Sequence, residues 1–174
     1  MLYLQVAAVL LTALAMALAV AHALEYPGKM RLNRENYLVT QTIYYPGFTI
    51  GGIGEALAVV VTLALTLFLP HDGPAFWWSA MGFLCLASMH AIFWFVTQPV
   101  NRYWTANLKL SSAAQHFFQA GGNQTRSQVE PRADEWQRRR STWEYSHIIR
   151  AVFAALGLLC ITVAIILYGQ TGVG

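Results

Sequence analysis

Apolar residues gather in four long runs along this chain, at positions 2–24, 46–69, 76–98 and 145–168, with polar residues collected between them. Each run approaches the roughly 20 residues that an α-helix needs to cross a hydrocarbon core of about 30 Å. None alternates at every second position, which excludes membrane β-strands. Lipid offers backbone groups no partner, so each run must satisfy its own amides as a helix. The pattern predicts an all-α integral membrane protein, a four-helix bundle forming one domain over 1–174. A link at 99–144 joins helices three and four.

The polar segments add detail. Helix one is expected to end at Pro27-Gly28, and Tyr44-Tyr45-Pro46-Gly47 reads as an interfacial aromatic anchor opening helix two. Past Pro99 an amphipathic helical extension is expected through Phe118, broken by Gly121-Gly122. Residues 123–130 have no apolar face and read as a linker. Pro131, followed by Asp134 and Glu135, fits the start of a helix that enters the membrane near Tyr145. Ala15, Ala19 and Ala23, four apart, and Gly51, Gly52 and Gly54 predict close helix packing.

Composition supports the same picture. Of 174 residues, 56% are hydrophobic and 11% are charged, against about 25% charged in a soluble domain. A water-soluble globule is excluded; the main partner is the lipid bilayer, and no nucleic-acid partner is expected. Ala19-Val20-Ala21 has the small-x-small form of a signal cleavage site. The run lacks basic residues at its start and exceeds a usual signal core, so a retained helix is expected. Cys85 and Cys160, deep in runs three and four, read as small buried hydrophobes rather than a disulfide or metal pair.

Charge then sets a direction. Lys29, Arg31 and Arg34 lie in the first link; Arg102, Lys109, Arg126, Arg132, Arg138, Arg139 and Arg140 lie in the third. The short second link has none, and Arg150 lies one to two turns into helix four. Basic loops stay in the cytoplasm, so both termini are expected outside in a multi-pass protein of the inner (plasma) membrane. The sequon at Asn123 then falls on the cytoplasmic side and is discarded. Arg138-Arg139-Arg140 is explained by anionic headgroups, and His71 and His116 by solvation.

Ionisable groups within the membrane cost at least about 2.5 kcal/mol at mid-helix and so call for a reason. His22 with Glu25, Glu55, His90, and His147 with Arg150 are such groups. At about 1.5 Å per residue, Glu55 and His90 come to a common level, and the others lie shallower on the same side. His90, Trp94, Thr97 and Asn101 share one helical stripe, Trp143, His147 and Arg150 a second, and Tyr44, Phe48, Gly51 and Glu55 a third. Facing inward, these stripes would form a polar pocket open to the cytoplasm. The bland alternative is mutual neutralisation, with Glu55 pairing His90 or Arg150 as polar glue between helices.

Pro99-Val100-Asn101, followed after a polar link by Trp143-x-x-x-His147-x-x-Arg150, resembles the small four-helix membrane proteins grouped with anthrone oxygenases. His22-x-x-Glu25-x-Pro27-Gly28-Lys29 and Tyr44-Tyr45-Pro46-Gly47-Phe48 are similar to a bacterial subset of that group. The resemblance implies oxidation of an anthrone to an anthraquinone by dioxygen without a bound cofactor. A base would remove a substrate proton, and the carbanion would react with oxygen directly. Asn101, Trp143, His147 and Arg150 are the matching positions; His22, Glu25 and Glu55 lie outside the shared motif and point to a different substrate.

The first expectation is thus an oxidoreductase for a lipophilic aromatic or quinone-like molecule. His90 or His147 would be the base, Arg150 and Asn101 the oxyanion stabilisers, and Trp94, Trp143, Tyr44 and Glu55 the substrate contacts. A metal- or haem-binding protein is the second, with His22, Glu25, Glu55, His90 and His147 as candidate ligands. A non-enzymatic assembly partner is the third, and the small-residue stripes also suit a homo-oligomer. A transporter would need dimerisation, since no inverted repeat is present.

Overall fold

Alanine and leucine dominate the first run, and no Asp, Glu, Lys or Arg occurs in it before Glu25. Such residues favour a helix, and lipid demands one. The computed structural model describes residues 1–44, 47–105 and 133–170. Helix α1 spans Leu2–Lys29. A short α2, Arg34–Gln41, follows; its N-cap Asn33 accepts the Asn36 amide at 2.9 Å. A 3-10 turn, Thr42–Tyr44, leads toward α3, Gly47–Phe68.

Helix α4, Pro74–Ile92, starts with proline in its first turn, where a missing N–H costs nothing. It runs through a π-turn, Phe93–Thr97, directly into α5, Gln98–Thr105. Pro99 has no N–H for the Phe95 carbonyl, and its ring would press on that oxygen. The widened turn lies where the carbonyl is. Helix α6, Ala133–Gln170, has 38 residues, about 57 Å at 1.5 Å per residue, and so exceeds the hydrocarbon thickness.

Four helical stretches are long and apolar enough to cross a membrane: Leu2–Lys29, Ile50–Phe68, Pro74–Trp104 and Asp134–Gln170. The chain is an all-α, multi-pass membrane protein. Its helices overrun the expected runs at several ends. Helix α1 does not stop at Pro27-Gly28 but continues to Lys29. Proline there removes one bond of the last turn, while Lys29 pairs with Glu25 at 2.8 Å one turn back. Residues 98–105 and 133–144, at the two ends of the expected link, are helical. The expectations for Tyr45-Pro46, the extension through Phe118, Gly121-Gly122, the linker 123–130, Pro131 and His116 fall outside the described residues.

Helix α1 packs on α3 and α6, and α4 packs on the same two, so the order around the bundle is α1, α3, α4, α6. Successive spans are antiparallel. Three layers stack along the bundle. One end holds Ala8, Leu65, Leu69, Ala75, Ile161 and Tyr168; the middle holds Ala15, Ala19, Ala58, Leu86, Met89, Ala151 and Ala154. The other end is aromatic, with Tyr37, Tyr44, Trp104, Trp136 and Trp143 around Val100. Small residues let α4 and α6 approach closely: a Cβ on Gly82 would meet Ile161 Cδ1 at 2.8 Å. Leu14, Val60, Leu84 and Leu156 face outward, where lipid covers them.

Candidate functional site

One face of α1 is buried along its length, through Ala8, Thr12, Ala15, Ala19, His22 and Lys29. Small residues give way to ionisable ones along that face. The same change occurs on the other helices, one turn or less beyond the middle layer: Glu55 beside Ala58, His90 beside Met89, Arg150 beside Ala151. The polar layer therefore sits between the middle layer and the aromatic end.

Glu55 is its centre. Arg150 Nη2 donates to Glu55 Oε2 at 2.5 Å, joining α6 to α3 across the bundle. The other carboxylate oxygen lies 3.1 Å from His90 Nδ1. Trp94 Nε1 donates to His90 Nε2 at 3.0 Å. An indole N–H can only donate, so Nε2 is bare and the His90 proton sits on Nδ1, toward Glu55. His90 is half-buried and Trp94 is 41% exposed. The expected stripe from His90 to Asn101 is interrupted here. Trp94, within the π-turn, keeps its contact with His90 but is exposed, while Thr97 stays buried, 2.9 Å from Ser146.

Arg150 also reaches His147: its Nη1 lies 3.2 Å from Nδ1. Guanidinium only donates, which puts the His147 proton on Nε2. That nitrogen is buried and has no hydrogen-bond partner among the described residues. The His147 ring lies 4.1 Å from His22. Around His22 stand Phe48 at 4.4 Å, Tyr44 at 4.5 Å and Trp143 at 5.3 Å, all between ring centroids. His22 Nδ1 is 3.8 Å from Glu25 Oε2, beyond hydrogen-bond reach.

Toward the aromatic end, Tyr44 donates to Glu25 Oε2 at 2.5 Å. Burial and that carboxylate hold its phenol well above the ordinary range. Trp143 Nε1 donates to Asn101 Oδ1 at 2.7 Å, and Asn101 Nδ2 to Gln98 Oε1 at 3.2 Å. The expected residues thus form two connected groups. One runs Trp94–His90–Glu55–Arg150–His147, and the other runs Gln98–Asn101–Trp143 beside His22, Tyr44 and Glu25. Glu55 pairs with His90 and with Arg150 at once, so the neutralising pairing foreseen as glue is present. No free carboxylate remains there.

The metal candidates do not converge. Among the described residues no group of three or more His, Cys, Asp or Glu is placed to hold a metal ion. Cys85 and Cys160 are buried and unpaired. Of the three arginines assigned to headgroups, Arg138 is exposed and the other two are half-buried. Arg139 pairs with Glu135 at 2.8 Å, and Arg140 bonds the Leu32 carbonyl and covers Trp136.

Lys29, Tyr37 and Glu144 are among the buried polar residues that escaped the sequence reading. Lys29, counted as a loop charge, is 3% exposed and lies 4.7 Å over both the Tyr44 and Trp143 rings. Its position seven residues after His22, on the same face, was the available signal. Tyr37 and Glu144 are fully buried and bonded at 2.8 Å. Glu144 lies three residues before His147, but nothing in the sequence pairs it with Tyr37.

A family model described as anthrone oxygenase matches residues 41–160, more than half of the chain. That segment contains Glu55, His90, Trp94, Asn101, Trp143, His147 and Arg150, and leaves out α1 with His22, Glu25 and Lys29. No curated protein and no solved structure matches the chain.

Proposed function

Since the chain belongs to the anthrone oxygenase family, we propose that it is a membrane-embedded oxidoreductase for a lipophilic aromatic substrate of anthrone type, with His90 as the base. The observation that carries this reading is the chain Arg150–Glu55–His90, which ends on an unprotonated imidazole nitrogen that accepts from the exposed Trp94 indole. A carboxylate on Nδ1–H orients an imidazole and fixes its tautomer, which leaves Nε2 in place to accept a proton. His147 suits that role less, because its unpartnered atom is an N–H.

In the proposed reaction Trp94 moves off Nε2, and His90 takes a proton from the substrate CH2. The carbanion passes its electrons to dioxygen. One oxygen atom becomes the new carbonyl, and the other leaves as water with the two hydrogens lost from carbon. Arg150 serves by holding Glu55 and His147 in place, since both its terminal nitrogens are engaged. Asn101 holds Trp143. Trp94, Trp143 and Tyr44 supply aromatic walls, and the substrate reaches His90 from the lipid. In this reading the basic end faces the cytoplasm of the inner membrane, supported by the loop charges.

The test uses the full chain in lipid nanodiscs, with anthrone under air and anthraquinone followed by absorbance. His90→Gln and Glu55→Gln should each lower turnover by about a hundredfold or more, the usual worth of a general base. Oxygen removal should abolish it. Undiminished turnover in folded His90→Gln would overturn the assignment and leave the Glu55 network as a structural pin.

A further inference from the structure

His22 lies outside the segment that the family comparison covers, yet it packs against a buried residue of that segment, His147. Both imidazoles are buried, at 6% and 4% exposure. Each keeps one buried ring nitrogen without a hydrogen-bond partner among the described residues: Nδ1 of His22 and Nε2 of His147. Such atoms are uncommon in folded proteins, where nearly all buried polar groups find a partner, a water or a ligand. Two of them on touching rings mark a place that lacks a polar partner.

The neighbours narrow what that partner is. Arg150 donates to His147 Nδ1, so the open position on Nε2 is a directed N–H. Arg150 and Lys29, both buried close by, make the surroundings favourable to an electron-rich oxygen. The carboxylate of Glu25 stops 3.8 Å short of His22 and does not fill the need. Flat aromatic surfaces of Phe48, Tyr44 and Trp143 surround His22, and Trp143 also packs on His147 at 4.2 Å. Flat walls and one directed donor suit a fused aromatic ring carrying an oxygen.

We propose that His22 and His147 form a binding subsite for the ketone or phenol oxygen of a planar aromatic ligand, His147 donating from Nε2. The site deepens the oxidoreductase reading, on which the choice of an aromatic ligand rests. It also assigns a function to α1: the family segment supplies the reacting groups, and His22 completes the place that holds the far oxygen of the ring system.

The experiment measures binding rather than turnover. Anthraquinone with a 13C-labelled carbonyl is added to the full chain in nanodiscs, and its ketone stretch is read by infrared difference spectroscopy. Anthracene, the same ring frame without oxygen, is the binding control. Wild type should lower the ketone stretch relative to empty nanodiscs and bind anthraquinone about tenfold more tightly than anthracene, the worth of one good hydrogen bond. His147→Phe should lose both effects, and His147→Gln, which keeps an N–H donor, should retain the lowered stretch. His22→Phe should reduce the preference for the ketone. A stretch unchanged from empty nanodiscs, or one lowered equally in His147→Phe, overturns the subsite. His90→Gln should leave the stretch lowered while cutting turnover by about a hundredfold or more. If wild type shows the lowered stretch but no anthrone oxidation, the subsite stands and the proposed reaction fails.

Discussion

The two halves of this bundle use the same four helices but treat their polar side chains in opposite ways. In the apolar half the buried polar groups are short. Thr62 donates back to the Ala58 carbonyl at 2.7 Å and Thr66 to the Thr62 carbonyl at 2.9 Å, each within its own helix. Thr66 on α3 and Ser79 on α4 meet at 2.8 Å, a cross-helix link between two short side chains. In the basic half long groups join the short pair Thr97–Ser146, and they reach across the bundle: Arg150 to Glu55, Glu55 to His90, Tyr37 to Glu144. Local bonds cost a helix little and carry no information about its neighbours. Cross-helix bonds between ionisable groups are expensive to bury and tie four helices to one arrangement. The first half is built to pack. The second holds groups that a merely packed bundle would not need.

That contrast is broken most severely at Glu55. Glu55→Gln or Arg150→Met alone leaves one buried charge without its partner, which should cost about 3–5 kcal/mol. The double variant removes both charges and should recover most of the loss, because apolar replacements of a buried pair are often neutral. Thermal unfolding of the three variants in one detergent gives the comparison. Equal losses in the single and double variants would show that Glu55 and Arg150 are not coupled in the folded protein.

The apolar half should respond to volume instead. Gly82→Val places a Cβ 2.8 Å from Ile161 Cδ1 and 3.3 Å from Cys160 Cβ. Overpacking of this kind costs about 1–3 kcal/mol. Unfolding should show that loss, while the anthraquinone carbonyl stretch, read at the other end, should stay lowered. A changed stretch with unchanged stability would contradict the separation of the two halves.

How much of this was legible in the sequence follows the same division. The four spans could be read from apolar runs because lipid permits few alternatives to a helix. Glu55 and His90 could be placed at one level by counting residues along two antiparallel helices, and the structure puts them 3.1 Å apart. Angular position was less legible. The stripe through His90, Trp94 and Asn101 assumed a regular helix, whereas a π-turn precedes Pro99 and Trp94 within it is exposed. Charge counting also misled at Lys29, because a topology rule treats each lysine as a loop residue. Here the helix runs past Pro27, and the amine is drawn inward by Glu25 and two aromatic rings. Tyr37 and Glu144, 107 residues apart, show no sequence signal for their bond. Their pairing depends on how α2 lies against α6, which no local pattern records.

The smallest effect sharpens the comparison at the rim of the basic half. Tyr37, on α2 and outside the spans, is fully buried and donates to Glu144. Burial, with Glu144 beside it, raises its phenol well above the ordinary value of 10.0. In the folded chain the phenol keeps its proton to higher pH than in the unfolded chain. Between the two values the folded state therefore binds more protons, and stability falls as pH rises. The contribution is complete below pH 10 and is lost progressively above it. One such group adds a slope of about 1.4 kcal/mol per pH unit. Tyr37→Phe should flatten the fall in stability above pH 10 by up to that amount, measured by thermal unfolding across pH 8–11. An identical slope in the variant would mean that the buried phenol is not what makes the aromatic end sensitive to alkali, leaving Tyr44 as the group to replace next.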